Sequence, residues 1–298
     1  MIVTDDFACV VDGATSQTDR LWGGETGGQM AAQQICRTVT SLPADINAVA
    51  AVEQLTSAIS GVYRANELYA SMLNNPSERA TAVVAIYSRF RREVWMVGDC
   101  QCLIVTRDAG THEITNSMRV DEINAAARAM FLAAELERYK NSPGDLANKV
   151  KELRQHDVGR DFIAPLIRKQ QCFRNSSGSE YSYWVVDGFP IPPDEIKVIQ
   201  LPDEAEFLVL ATDGYPKVLP TYDDSERLLQ RILEIDPLLI SHHKATKTAK
   251  VGNDSYDDRA YLRIEVSAKG ASKACRCTGD NRTTFVERET TSGYHQVN

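Results

Sequence analysis

Two unbroken apolar runs in this chain each end on an Asp-Gly pair, and that pattern narrows what the chain can fold into. Residues 8–11 (Ala-Cys-Val-Val) lead into Asp12-Gly13, and residues 207–212 lead into Asp213-Gly214. Runs this short, stopped by glycine, read as buried strands that carry a carboxylate to their C-terminal ends. A third acidic pair, Asp257-Asp258, stands just before an alternating apolar stretch over 261–266. Asp-Gly is a common turn dipeptide, so any one of these alone reads as a turn cap. Three beside buried strands point further, because an unpaired charge there is costly to bury. A bound cation removes that cost, and hard ions such as Mg²⁺ or Mn²⁺ prefer carboxylate, carbonyl and water oxygens.

Around these residues the periodicity predicts a strand over 6–11, a helix over 30–42 entered through the Gly-rich stretch 23–28, and a longer helix reaching Met72. We read the Gly-rich stretch as close backbone packing. Residues 82–87 and 94–97 form a hairpin across the basic turn 89–92. Gly98-Asp99 interrupts the second strand, which resumes over 102–105. A helical block spans 121–172, followed by strands over 181–186, 196–201 and 206–211, a helix over 223–235 and a last strand over 261–266. Strands clustered in sequence favour antiparallel sheets with helices against their outer faces. His242-His243 sits in a polar, basic stretch, 241–250, that reads as a solvated loop. From 267 the chain turns polar, which predicts a disordered tail over 267–298 after a domain over 1–266.

Composition mainly excludes. The 298 residues carry a formal net charge of -8, which disfavours nucleic acid and anionic membrane as partners. The N-terminus lacks the basic start of a signal peptide, and no run approaches the about 18 apolar residues of a membrane span. Seven cysteines, an odd number without zinc-ligand spacing, fit reduced thiols and a cytoplasmic location.

Four blocks in order resemble the metal-dependent protein serine/threonine phosphatases, the type 2C family. Val10-Val11-Asp12-Gly13 with the following glycines matches its Asp-Gly strand end and Gly-rich helix start. Val97-Gly98-Asp99-Cys100-Gln101 stands for a Val-Gly-Asp-Ser-Arg block. Leu210-Ala211-Thr212-Asp213-Gly214 stands for Leu-Ala-Ser-Asp-Gly, and Asp257-Asp258-Arg259-Ala260 for Asp-Asn-x-Thr. The resemblance implies an α+β fold, a four-layer sandwich of two antiparallel β-sheets flanked by α-helices. It also implies two, or with Asp99 three, Mg²⁺ or Mn²⁺ ions. Asp12 would bridge two of them, the Gly13 carbonyl would bind one, and Asp213 and Asp257 would bind the other. The reaction implied is hydrolysis of phosphoserine or phosphothreonine in a phosphorylated protein by a metal-bridging hydroxide, with no catalytic side chain beyond the metal-bound water.

The chain also departs from the family pattern. Residues 1–6 are too few for the family's first strand plus its turn, and that strand carries an acidic metal-site residue. Asp5 and Asp6, read as part of the Asp12 strand, cannot replace it. Either the chain is N-terminally truncated or one metal subsite is weakened. A catalytically impaired phosphatase-like binding or regulatory module, and a phosphatase for small molecules, therefore stand as alternatives. Substrate-binding residues are not legible.

Overall fold

The computed structural model describes residues 1–15, 18–266 and the backbone of 288–291. Two five-stranded antiparallel sheets face each other. The first has the order β1 (Ile2–Val3), β2 (Phe7–Gly13), β3 (Ala82–Ser88), β4 (Glu93–Val97) and β7 (Lys197–Gln200). The second runs β10 (Arg288–Thr291), β9 (Arg259–Glu265), β8 (Ala205–Ala211), β5 (Gln101–Thr106) and β6 (Thr111–Ile114).

The unbroken apolar runs follow from this layering. In β2, Ala8 and Val10 face the second sheet, where Leu208, Leu210, Leu262 and Ile264 meet them. Phe7 and Cys9 face outward, yet they too are covered, by the helices α1 (Gly27–Val39) and α2 (Ala48–Ala65). On the far side, Val209 and Ala211 of β8 pack with Tyr215 and Tyr222, the latter at the start of α7 (Tyr222–Ile235). Strands covered on both faces need apolar residues at every position, so alternation disappears. Helix, sheet, sheet and helix make the expected four-layer α+β sandwich. Among the described residues, no helix is long and apolar enough to cross a membrane.

Several expectations change on contact with the structure. The stretch 102–105 does not resume the strand before it: β4 lies in the first sheet and β5 in the second. Gly98 makes the crossing, with φ +89° and its α-carbon so close to Val83 that a Cβ would lie 2.1 Å from Cγ1. Residues 181–186 are not a strand. Both neighbours of β3 are already taken, and β4 ends with Val97 opposite Val84. Only Ala82 beyond that point accepts a partner, and Val186 bonds it in both directions at 2.9 and 3.0 Å.

The helix predicted to reach Met72 breaks after Ala65, where Glu67 has φ +58°, and restarts as α3 (Tyr69–Asn74). The helical block divides into α4 (Arg119–Glu137), α5 (Pro143–Gln155) and α6 (Val158–Gln170). Residues 1–6 do contain a strand and its turn. Val3 pairs with Ala8, and the turn closes through Thr4 N–H to the Phe7 carbonyl at 2.8 Å, with Asp5 and Asp6 inside it. Of the tail expected to be disordered, all but 288–291 lies outside the described residues. Those four form β10, whose backbone satisfies an edge that β9 would otherwise leave open.

Because Gly98 needs left-handed backbone and meets Val83, Gly98→Ala should destabilise the protein by about 2–5 kcal/mol. That adds roughly 1–2 for the backbone to roughly 1–3 for the clash. Equilibrium unfolding in urea measures it, and a shift under 1 kcal/mol would show that the crossing tolerates a side chain.

Candidate metal centre

Strand ends from both sheets meet at one end of the sandwich. β2 delivers Asp12 and Gly13, and the Gly98 crossing delivers Asp99. β8 delivers Asp213, and the segment entering β9 delivers Asp257. All five residues line one cavity of about 530 Å³.

Backbone contacts too close for side chains hold these ends in place. A Cβ on Gly13 would lie 2.3 Å from the Gly28 carbonyl oxygen, so the Gly-rich stretch packs the start of α1 onto the end of β2. Thr26 and Gln29 form a reciprocal capping box there. A Cβ on Gly214 would lie 2.3 Å from the Asp258 carbonyl oxygen, which ties the Asp213 turn to the Asp257 segment. The Ala260 N–H donates to Thr212 Oγ1 at 3.0 Å, and the Tyr256 hydroxyl donates to the Asp213 carbonyl at 2.9 Å. Buried Arg259 grips Glu226 of α7 through two bonds of 2.8 and 2.9 Å, fixing the start of β9.

Charge accumulates in this cavity. Burial pushes the Asp12 carboxyl well up, and the nearby carboxylates of Asp213 and Asp257 push it further. Asp99 is raised first by burial and then by Asp213 and Asp121. Asp213 rises from the ordinary 3.8 to about 6 through burial and the charge of Asp257, while a hydrogen bond with Asp12 and the charge of Lys247 pull the other way. Asp12 and Asp213, 201 positions apart in sequence, therefore touch side chain to side chain. Asp257 faces them but is bonded to Lys247 Nζ and to the Asp258 N–H. Among the described residues, no group of three or more His, Cys, Asp or Glu stands close enough together to hold a metal ion as placed.

The donor set nonetheless suits a hard divalent ion: carboxylates and a glycine carbonyl, with mutual repulsion that a cation would relieve. Cys100 lies beside the cluster, fully buried, and its thiol is pushed well up by burial and by Asp99. Both effects favour the neutral thiol over the thiolate.

Sequence reasoning missed the opposite wall. Arg160, Arg174, Asp121 and Lys247 line the cavity, as does His243. The stretch 241–250 is thus not a solvated loop. His243 is half-buried with its ring Nε2 3.2 Å from the Tyr256 hydroxyl, and Ala245, Thr248 and Ala249 are buried. Asp121 lies in the first turn of α4, where an acidic residue reads from sequence as ordinary helix electrostatics.

Residues 3–236 match the family model of protein phosphatase 2C. The chain belongs to the protein phosphatase 2C family. The match ends before Asp257, so the placement of that residue comes from the fold. No curated protein matches the chain. Among solved structures, a bacterial serine phosphatase is similar at 12% identity and TM-score 0.41, over 89% of this chain and 87% of that one. The Mycobacterium tuberculosis serine/threonine phosphatase PstP/Ppp gives 14% identity and TM-score 0.35, over 78% of each chain. The Staphylococcus aureus serine/threonine phosphatase Stp1 gives 14% and 0.37, over 76% and 78%. Such values carry neither substrate nor activity over to this protein phosphatase 2C member.

The raised pKa of Asp213 makes stability depend on pH with a definite sign. Between 3.8 and about 6 the folded chain holds a proton that the unfolded chain has lost, so this group's contribution to stability falls as pH rises through that window. In metal-free protein above pH 6, Asp213→Asn should therefore be more stable than wild type by about 2–3 kcal/mol. The gap should close toward pH 4. Urea unfolding at both pH values checks it, and a less stable variant at pH 7 would refute the assignment.

Proposed function

We propose that this chain is a Mg²⁺- or Mn²⁺-dependent phosphomonoesterase acting on phosphoserine or phosphothreonine in proteins. One observation carries the reading. Asp12 and Asp213 come from facing sheets and touch, with Asp99 and Asp257 around them in one cavity. A fold has little structural reason to bring like charges together out of water, whereas a cation site requires it.

In this reading Asp12, the Gly13 carbonyl, Asp213 and Asp257 would hold the divalent ions, and Asp99 would add a further carboxylate to the site. Divalent ions, when bound there, would supply Lewis acidity toward water and positive charge for the phosphoryl oxygens. The protein's own residues position and screen. Arg160 of α6 and Arg174 line the cavity, and guanidinium chemistry suits phosphoryl oxygens. Arg174 is oriented by the Pro76 carbonyl at 2.9 Å and by Thr81 Oγ1 at 2.8 Å. The Tyr256 and Gly214 contacts keep the Asp213 and Asp257 turns together as charge changes between them.

With Mn²⁺ present, the protein should hydrolyse p-nitrophenyl phosphate and a phosphothreonine peptide, and chelator should stop both. Asp12→Asn and Asp213→Asn should each abolish turnover, and full activity in either variant would remove that residue from the centre. A second reading, a non-catalytic phosphatase-like module, draws support from the bond between Lys247 and Asp257. Absence of turnover in wild type at millimolar Mn²⁺ would favour it.

A further inference from the structure

Lys247 is aimed, and its surroundings show how. The residues on either side of it are fixed by backbone bonds from the helical block. Arg128, fully buried in α4, pairs with Asp157 at 2.8 Å and donates to the carbonyls of Leu238 at 3.0 Å and Ala245 at 2.9 Å. Arg160 donates to the Thr246 carbonyl at 3.1 Å, and Arg154 to the Ala249 carbonyl at 3.1 Å. The Thr248 N–H donates to Asp157 at 3.0 Å. Upstream, the Asp236 carboxylate collects the N–H groups of Ile240, Ser241 and His242 at 2.7–3.1 Å. Residues 245, 246, 248 and 249 are thus held toward α4–α6, while the Lys247 side chain crosses to Asp257.

An incidental surface pair would need no such scaffold, and exposed pairs are worth little. The partner here belongs to the carboxylate cluster. Among the described residues, no ion pair reaches Asp12, Asp99 or Asp213, and Lys247 is the cation that reaches Asp257. A monovalent ammonium therefore sits where a divalent ion would need the same carboxylate oxygen.

We infer that Lys247 is a tethered cation of this centre: it holds Asp257 in the metal-free protein and competes with the divalent ion for that carboxylate. The inference rests on the metal reading above. Loading then requires the lysine to leave Asp257, which weakens metal binding and places an ammonium at the rim of the loaded site. Lysine suits the task better than arginine would, because its charge sits on a flexible four-carbon stem rather than in a rigid fork.

The test is calorimetric titration of the full chain with Mn²⁺, comparing wild type, Lys247→Met and Lys247→Arg. Removing the competing charge should tighten Mn²⁺ binding about tenfold in Lys247→Met, whereas Lys247→Arg, which keeps the charge, should bind Mn²⁺ no more tightly than wild type. Equal or weaker binding in Lys247→Met would overturn the inference and leave the metal reading standing. No Mn²⁺ binding in either protein, wild type and Lys247→Met alike, would end both. Tight binding in Lys247→Met alone is the strongest support. A second measurement needs no variant. Acetylation of Lys247 in wild type, followed by mass spectrometry, should rise several-fold when Mn²⁺ frees the amine; an unchanged rate would refute the competition.

Discussion

Mutual repulsion among carboxylates held out of water is the constraint on which the rest of this structure depends. Asp12 and Asp213 could not stay in contact on a flexible support; they would separate or recruit solvent. Here each stands at the end of a strand covered on both faces, so moving either would disturb packing through the sandwich. The glycine contacts act where the strands stop. Gly13 against Gly28 and Gly214 against Asp258 bring backbone to backbone at distances no side chain permits. Stiffness of this kind holds like charges in proximity until a counter-charge arrives.

The helical block answers the same constraint from the other side. Its buried Arg128 bonds Asp157 and carbonyls of the segment after α7, so the guanidinium is satisfied on several sides. A buried ion pair of this type adds less to net stability than its charges suggest, but breaking it leaves an orphaned charge. Its consequence is geometric: the segment 238–249 is pinned across the cavity and carries Lys247 and His243 to the carboxylates. One wall of the cavity is thereby acidic and the other mixed.

Much of the fold was legible because burial writes itself into the chain. Apolar runs at 8–11, 82–87 and 207–211 are unbroken since helices cover the sheets' outer faces, and the Asp-Gly stops marked where strands end. Elements decided by pairing partners were not legible. Residues 181–186 have strand-like composition, yet only Ala82 had a free edge to offer Val186. Residues 94–105 look like one interrupted strand, although Gly98 sends its two halves to different sheets. The small strand at Ile2–Val3 was hidden because a tight turn through Thr4 needs fewer residues than a connection of ordinary length.

The candidate centre divides along the same line. Asp12, Asp213 and Asp257 were selected from local signals, each a hydrophilic stop beside a hydrophobic run, whereas Gly13 and Asp99 came from the family resemblance. Arg160, Arg174, Asp121 and Lys247 carry no comparable signal, since a charged residue on a helix or in a polar loop is the commonest thing a surface shows. What the sequence determined by itself was therefore the strand ends and the kind of donor placed on them. Only the tertiary structure decided which of those donors touch and which cation already stands against them. Contact between residues 12 and 213, with the charge of 257 nearby, depends on how two sheets stack, and no local pattern encodes a distance through a core.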